Sequence, residues 1–247
     1  NTIYTANYSE LLDKHVASGA DISILYAKVN NAKEKYLSAD TLTLNKQGGV
    51  SSIDMNLGKL KTRDLSLQTY IMKVETLVSL IHDARATSTM YWLKDILNDK
   101  AEELDIRGIK FTGKFYYIDS LKSYYEANLS ILDVANMKDF SDASWPIYTL
   151  SSDSAPAIYL PGGSATGSFV SNGSQIAGEV LNSIIGRGVK IGKGAQVTNC
   201  IIMPDVEIGP NAILTGVVVD KHTKILHKKE LAGDIDQPLY IGRREKI

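Results

Sequence analysis

Cationic residues recur at short spacing in the last quarter of the sequence. Arg187, Lys190 and Lys193 follow one another three residues apart, and Arg243 with Arg244 adds two charges shortly before residue 247. Fixed ammonium and guanidinium groups bind phosphate and carboxylate groups. Because Arg187 and Lys193 are six residues apart in a six-residue repeat, we expect them on one face, with Lys190 at a neighbouring corner. These five residues are candidate anion ligands, and a solvated charged surface is the alternative for each.

The candidate general bases are the histidines His15, His82, His222 and His227. A histidine that takes a proton from an acceptor hydroxyl or amine is what a hexapeptide-repeat acyltransferase requires. His222 lies in the part of the sequence beyond Gly162, where apolar residues recur every six positions, and this keeps the hypothesis open. It sits at a corner without an inserted loop to build a pocket, so we favour a surface histidine there.

The overall composition excludes several classes of partner. The formal net charge is −1, and neither nucleic acid nor an anionic membrane suits so neutral a chain. No apolar run approaches the length of a membrane span. Cys200 is the only cysteine, which forbids an intrachain disulfide and fits a reducing compartment. We therefore expect a cytoplasmic protein that contacts neither nucleic acid nor membrane, and a chain that begins inside a domain.

Up to about residue 133 the sequence mixes helical and strand periods. Apolar spacing from Tyr8 to Val16, ended by Gly19, predicts a helix, and Ile22–Val29 predicts a buried strand. The later elements predicted are short strands within 42–65, helices at 76–84 and 89–97, a strand at 109–118 and a helix at 120–132 capped by Ser120. This order of helices and strands indicates an α/β unit.

Beyond Gly162 the apolar residues follow a period of six. Each six-residue unit is one short strand with a tight corner, and three units make one coil of a β-helix. Five-residue steps, such as Met203 to Ile208, are corner variants. The glycine pairs around Arg187 and Lys193 are therefore corners rather than a phosphate-binding loop. The residues predicted to point inward are Val170, Ile176, Ile185, Ile191, Val197, Met203, Ile208, Leu214, Val219 and Ile225.

Several segments resemble the ADP-glucose pyrophosphorylase family, the glucose-1-phosphate adenylyltransferases. They are the segment from Tyr8 to Asp21, the helix Ser123–Asn128 (family "AYYEAN"), Ser171–Gly173 and Arg187–Gly192. The resemblance covers nearly the whole chain. It implies an α/β fold, part of a Rossmann-like nucleotidyltransferase domain, followed by a left-handed parallel β-helix of hexapeptide repeats. The implied domains are the C-terminal portion of the catalytic domain at 1–135, a linker at 136–161 and the β-helix at 162–247, in a fragment without the front of that domain.

The departures from this family fall at its active-site motifs. In the family stretch "YWRDVGT", Tyr117 stands where the metal-binding Asp belongs, and Asp119 replaces a glycine two residues further on. Two residues along a strand from Tyr117, Asp119 could face the same side, but its different backbone position argues against its replacing the metal ligand. Lys94-Asp95 resembles the family's "GKD", and Lys94, Asp95 and Asp119 are expected to line a remnant sugar pocket. The family's "EKP" is absent near residues 60–64, and the strand Ser66–Met72 lacks its glycine.

This pattern resembles the GlgD-type subunits of the family. The resemblance implies a regulatory, non-catalytic subunit in a hetero-oligomer, a heterotetramer, with a catalytic sister subunit, working in glycogen biosynthesis. It also implies a phosphorylated-sugar effector, no cofactor in this chain and Mg²⁺ for the family reaction, which makes ADP-glucose from ATP and glucose 1-phosphate. The alternatives are an active sugar-phosphate nucleotidyltransferase, a hexapeptide-repeat acyltransferase and a purely structural assembly module.

Overall fold

The computed structural model describes residues 2–138, 140, 147–148 and 151–247. The described residues form two compact units, 2–117 and 118–247. Helices occur in both units. They are α1 (Tyr8–Ser18), α2 (Val74–Thr87), α3 (Leu93–Asp99), α4 (Leu121–Ser130) and α5 (Val134–Lys138).

The unit 2–117 is built on a five-stranded sheet with the order β4-β3-β5-β2-β6, and β1 pairs with β7 separately. Only β2 and β6 run parallel; the other neighbours in these sheets are antiparallel. The strands of this unit are β1 (Thr2–Tyr4), β2 (Ile22–Val29), β3 (Asp40–Leu44), β4 (Val50–Met55), β5 (Arg63–Met72), β6 (Ile106–Phe111) and β7 (Phe115–Tyr117).

Capping residues set both limits of α1, and of these the sequence predicted Gly19. The Asn7 side-chain oxygen accepts the N–H of Ser9 (3.1 Å), which satisfies a free donor of the first turn. At the other end Gly19 adopts φ 67° and donates its N–H to the Val16 carbonyl. The predicted strand Ile22–Val29 is confirmed at both ends.

The two faces of the main sheet carry separate apolar clusters. Leu11 of α1 packs with Leu25 and Leu67 on one face. Leu80 and Ile96, from α2 and α3, pack on the other face. The predicted helical pair is confirmed, but α3 begins at residue 93 rather than 89, because residues 89–92 form a turn and an extended N-cap.

Residues 158–247 form a parallel β-helix of three five-stranded sheets. The first coil sheet contains β8 (Ile158–Tyr159), β11 (Gln175–Ile176), β14 (Lys190–Ile191), β17 (Glu207–Ile208) and β20 (Lys224–Ile225). The second contains β9 (Ser164–Thr166), β12 (Glu179–Leu181), β15 (Gln196–Thr198), β18 (Ile213–Thr215) and β21 (Glu230–Ala232). The third contains β10 (Phe169–Val170), β13 (Ile184–Ile185), β16 (Ile201–Ile202), β19 (Val217–Val219) and β22 (Leu239–Ile241).

Inward-pointing aliphatic residues stack from coil to coil and form the core of this unit. In the first coil sheet the stack is Ile176, Ile191, Ile208 and Ile225, each at most 2% exposed. The second and third sheets carry equivalent stacks. The three parallel sheets confirm the predicted β-helix. The coils stack because one coil cannot bury its inner face alone.

One inward position was assigned wrongly from the sequence. Ile202, not Met203, stacks in the third coil sheet between Ile185 and Val219. The five-residue step therefore falls between Val197 and Ile202. Four apolar residues in succession, 200–203, left the period without a unique register.

Helix α4 packs on the outer surface of the third coil sheet. Tyr125 is 1% exposed and lies against Ile201 and Val218. Its hydroxyl donates a hydrogen bond to the Asn199 carbonyl (2.5 Å). Ser120 caps this helix as predicted, since its hydroxyl accepts the Ser123 N–H. Packing thus joins α4 to the β-helix.

The limits of the two compact units differ from the divisions drawn along the sequence. Helix α4 lies within the stretch 1–135, and strand β8 lies within the stretch 136–161 that was assigned to a linker. A two-residue strand with no repeat before it gives little periodic signal. Residues 139, 141–146 and 149–150 of that linker lie outside the described residues. Among the helices that the structure describes, none has both the length and the apolar character to cross a membrane.

We predict that Ile208→Ala lowers the free energy of unfolding of the β-helix by about 2–5 kcal/mol, through lost burial and a residual cavity. The measurement is hydrogen exchange of the amides in residues 190–226 of the full chain. The matched control is Ile213→Ala, on the outer side of β18 with 42% of its surface exposed, where we expect a loss below about 1 kcal/mol. Equal losses at the two sites would contradict the assigned register.

Candidate functional site

A cleft of about 430 Å³ opens in the unit 2–117. Strands β3 and β5 and the start of α3 supply its walls. The lining residues are Asp40, Gln68, Tyr70, Trp92, Leu93 and Lys94. A concave surface with a few polar groups and aromatic rings is typical of a small-molecule site.

The polar groups of the cleft are organised around Asp40. Lys94 Nζ donates to Asp40 Oδ1 (2.9 Å), and Gln68 Nε2 donates to Oδ2 (3.4 Å). Burial and the neighbouring Asp40 charge raise the pKa of Tyr70, so its hydroxyl stays protonated at neutral pH. Trp92, 71% exposed, offers a ring at the rim. This set of donors, acceptors and ring can bind a sugar, and none of its six residues is a Ser, Cys or Thr that could act as a nucleophile.

Of the three residues predicted to form the remnant sugar pocket, only Lys94 lines the cleft. The Asp95 carboxylate accepts the Trp92 N–H (2.9 Å) and caps α3. Strand β7 ends at Tyr117, so the strand alternation does not extend to Asp119, whose N–H donates to Ser123 Oγ (3.0 Å) at the start of α4. Strand alternation from Tyr117 therefore gives no basis for Asp119 as a replacement metal ligand.

The sequence did not reveal Asp40, Gln68, Tyr70 or Trp92 as lining residues. One signal was available at Gln68, which stands where the related motif has glycine. Its φ is 56°, so the backbone keeps the left-handed conformation that a glycine adopts without strain. For a residue with a Cβ this conformation costs on the order of 1 kcal/mol. The side chain that replaces the glycine reaches Asp40 in the cleft.

Tyr117 occupies an aromatic cluster at the carboxyl end of β2. Its ring meets the ring of Tyr36 edge-on, with centroids 5.8 Å apart. The cluster also contains Val29, Ala32 and Leu65. Mg²⁺ prefers several oxygen ligands, and no group of three His, Cys, Asp or Glu residues that could hold a metal occurs among the residues the structure describes. The residues around Tyr117 therefore do not fit Mg²⁺.

A second cavity, of about 420 Å³, lies on the β-helix. It arises because one corner is short: Ile176 and Val180 are four residues apart, whereas Ile191 and Val197 in the next coil are six apart. The shorter corner is recessed between longer ones and leaves this cavity, which we call the notch. The lining residues are Pro161, Gly162, Ala177, Lys193, Gly194, Pro210 and Asn211.

The short corner also interrupts a hydrogen-bond ladder. The Asn211 N–H donates to the Lys193 carbonyl of the coil above (3.0 Å). Gly194 is the equivalent of Asn211 one coil earlier. The corner above Gly194, which contains Ala177, is two residues shorter. In the described part of the chain, the Gly194 N–H has no hydrogen-bond acceptor. A free N–H beside an exposed lysine is suited to binding an anion.

The structure separates the five predicted anion ligands. Arg187 lies at a corner between the third and first coil sheets, and Lys193 at the following corner, between the first and second. The expectation that these two residues share one face was wrong, because residues stack at the period of a whole coil, 17 residues from Ile191 to Ile208. Lys193 alone of the five lines the cavity.

The other candidates occupy different positions on the coil. Lys190 lies on β14 rather than at a corner, directly beside Glu207 of β17. Lys224 donates a hydrogen bond to Glu207 (2.7 Å) and, with Lys190, lowers the pKa of that carboxyl. Arg243 and Arg244 lie at the last corner of the stack of corners that also contains Arg187. Two other corners of this stack, at 203–205 and 220–222, lie between them and Arg187.

The histidines and the cysteine have structural or surface positions. His15 is buried, and its Nδ1 lies 2.8 Å from Ser23 Oγ. His222 is exposed on a corner, with Nδ1 3.4 Å from Asp205 Oδ2, and His82 and His227 are exposed too. None of the four lines either cavity described above. Burial raises the pKa of the Cys200 thiol to about 11, which confirms a small buried residue rather than a reactive one.

Known proteins are similar in sequence to both units of this chain. Residues 160–238 match the family model for the GlmU-like C-terminal hexapeptide domain. A glucose-1-phosphate adenylyltransferase of Thermotoga neapolitana is 30% identical over 79% of this chain and 47% of its own length. One from Acetivibrio thermocellus is 26% identical over 90% of this chain and 53% of its own length.

The chain is a relative of the glucose-1-phosphate adenylyltransferases. A third such enzyme, from Bacillus cytotoxicus, is 26% identical over 88% of this chain and 58% of its own length. The chain spans about half the length of the curated relatives it matches. The matched stretch reaches beyond the β-helix, so the relationship does not rest on the hexapeptide repeat alone.

Proposed function

We propose that this chain belongs to a non-catalytic, regulatory subunit of a glucose-1-phosphate adenylyltransferase. In this proposal the reaction that makes ADP-glucose from ATP and glucose 1-phosphate takes place on a catalytic sister subunit, in the cytoplasm. The chain contributes its β-helix and its ligand cavities to a hetero-oligomer with that subunit.

The observation that carries this proposal is the environment of Tyr117. Nucleotidyl transfer needs a carboxylate to hold the metal ion that neutralises the phosphate charges. At the position where the resemblance expects this carboxylate, the chain has a phenol ring packed edge-on against Tyr36. A neutral aromatic group in an apolar cluster does not replace a metal ligand.

Two further features support a role in ligand sensing. The cleft around Asp40 and Lys94 keeps the polar character of a sugar site. The notch beside Lys193 combines a cation with the exposed Gly194 N–H, which has no acceptor among the described residues, and suits the anionic group of an effector, such as a phosphorylated sugar. No described feature favours the acyltransferase alternative, because His222 lies on an open corner rather than in a cavity.

We predict that the full-length polypeptide forms ADP-glucose from ATP, glucose 1-phosphate and Mg²⁺ at background rate. Mixed with the catalytic subunit of the same organism, it is expected to change that subunit's kcat or its apparent affinity for an effector several-fold. The assay is steady-state product formation by each protein alone and by the mixture. The matched control is the same mixture with bovine serum albumin in its place.

Robust ADP-glucose formation by the polypeptide alone would contradict the proposal. The protein would then be an ordinary nucleotidyltransferase, and its metal ligands would have to lie elsewhere. An unchanged catalytic subunit in the mixture would count against the regulatory role.

We further predict that inorganic phosphate binds the notch and raises the thermal midpoint of unfolding, by mass action on the folded state. Lys193→Gln is expected to weaken this binding about tenfold, the typical effect of losing one charge-assisted hydrogen bond. Differential scanning fluorimetry over a phosphate titration is the measurement. Lys190→Gln is the control, since Lys190 has the same charge but lies outside the notch. Phosphate stabilisation that survives Lys193→Gln would assign the anion to another site.

A further inference from the structure

Two loops of the unit 2–117 meet beyond the carboxyl end of β2. One comprises residues 30–38, between β2 and β3, and the other comprises residues 57–62, between β4 and β5. They are in direct contact, because the Ala32 N–H donates to the Lys61 carbonyl (3.0 Å). The two loops therefore form one continuous surface.

A single buried side chain fixes the shape of this surface. Asn56, 3% exposed, donates from Nδ2 to the carbonyls of Ala32 (2.8 Å) and Tyr36 (2.9 Å) in the first loop. Its Oδ1 accepts the Gly58 N–H (3.1 Å) in the second loop. One amide thus ties both loops to the end of β4. A surface held in this way loses little conformational entropy when a partner binds.

The surface is strongly basic, in contrast to the rest of the chain. The two loops, residues 30–38 and 57–62, carry four Lys and one Glu, a net charge of +3 in 15 residues. The whole chain has a net charge of −1, so the remaining 232 residues carry −4. We call the exposed lysines of the two loops the basic loop surface. They are Lys33, Lys35, Lys59 and Lys61.

Large apolar side chains are exposed among these lysines. Leu37, Leu57 and Leu60 have 49%, 63% and 55% of their surface exposed. Leu37 approaches the second loop closely, since a Cβ added to Gly58 would lie 3.1 Å from Leu37 Cδ2. Exposed leucines surrounded by charges are typical of a protein interface, with an apolar centre and a polar rim. A polyphosphate offers no apolar surface for these leucines to contact.

We propose that the basic loop surface docks a second protein, which presents an apolar patch with acidic residues around it. Complementary charge speeds the encounter and fixes the orientation, and the leucines supply apolar area to bury. The inference rests on the proposed function in one respect, because the catalytic adenylyltransferase subunit is the partner chosen for the test. Neither described cavity is lined by any of the four lysines, so the surface is separate from the ligand sites.

The test is isothermal titration calorimetry of the full polypeptide with the purified catalytic subunit, at 50 and 300 mM NaCl. Lys33→Glu/Lys35→Glu/Lys59→Glu/Lys61→Glu is expected to weaken binding at least tenfold at low salt and to remove most of the salt dependence. Leu37→Ser/Leu57→Ser/Leu60→Ser is expected to weaken binding at both salt concentrations. The matched control, Lys14→Glu/Lys73→Glu/Lys110→Glu/Lys228→Glu, changes the net charge equally at exposed lysines elsewhere and is expected to change affinity less than threefold.

If charge reversal lowers the thermal midpoint of unfolding, the fourfold Lys→Gln variant replaces it. Wild-type affinity in the basic-surface variants, or equal losses in the control, overturns the inference and leaves the regulatory proposal standing. Absence of any association with the catalytic subunit overturns the regulatory proposal and this partner together. Tighter binding of a 20-nucleotide single-stranded RNA or of tripolyphosphate through the same lysines also overturns the inference, because the surface would then be a polyanion site.

Discussion

The β-helix depends on one constraint, that each coil repeats the path of the coil before it. Parallel strands then pair in register, inward aliphatic residues stack, and corner N–H groups donate to the corner above. Any coil of different length must break this pattern locally. The short corner at Ala177 does so, and the result is a notch in which the exposed Gly194 N–H, beside Lys193, has no acceptor among the described residues. The cavity is a direct consequence of two missing residues in an otherwise regular coil.

The unit 2–117 shows a different compromise between fold and function. Its sheet retains a left-handed backbone at Gln68, a conformation that suits glycine, and its Tyr117 fills a position where the relatives' motif suggests a carboxylate. Both departures are accommodated by side-chain contacts, to Asp40 and to Tyr36 respectively. The packing around residues 68 and 117 is therefore complete without a glycine at the first position or a carboxylate at the second. Such a scaffold is suited to binding and assembly.

Periodic features were predictable from the sequence, and packing across elements was not. The predictions of strongly periodic segments such as α1 and β2 are confirmed, as is the prediction of the β-helix. Met203 was misassigned because an apolar run hides the register. A period of six predicts one face for Arg187 and Lys193, whereas residues stack at the period of a whole coil. The cleft residue Asp40 carried no local signal, since its ion pair with Lys94 joins positions 54 apart.

A non-catalytic role is tested most directly by measuring Mn²⁺ binding to the full polypeptide in the presence of ATP, with electron paramagnetic resonance as the readout. We expect the Mn²⁺ spectrum to be that of the Mn²⁺–nucleotide complex free in solution. The catalytic subunit measured in parallel is expected to immobilise one or more ions per chain. Stoichiometric, tight immobilisation of Mn²⁺ by the polypeptide itself would show that metal ligands survive around Tyr117, and would contradict a non-catalytic role.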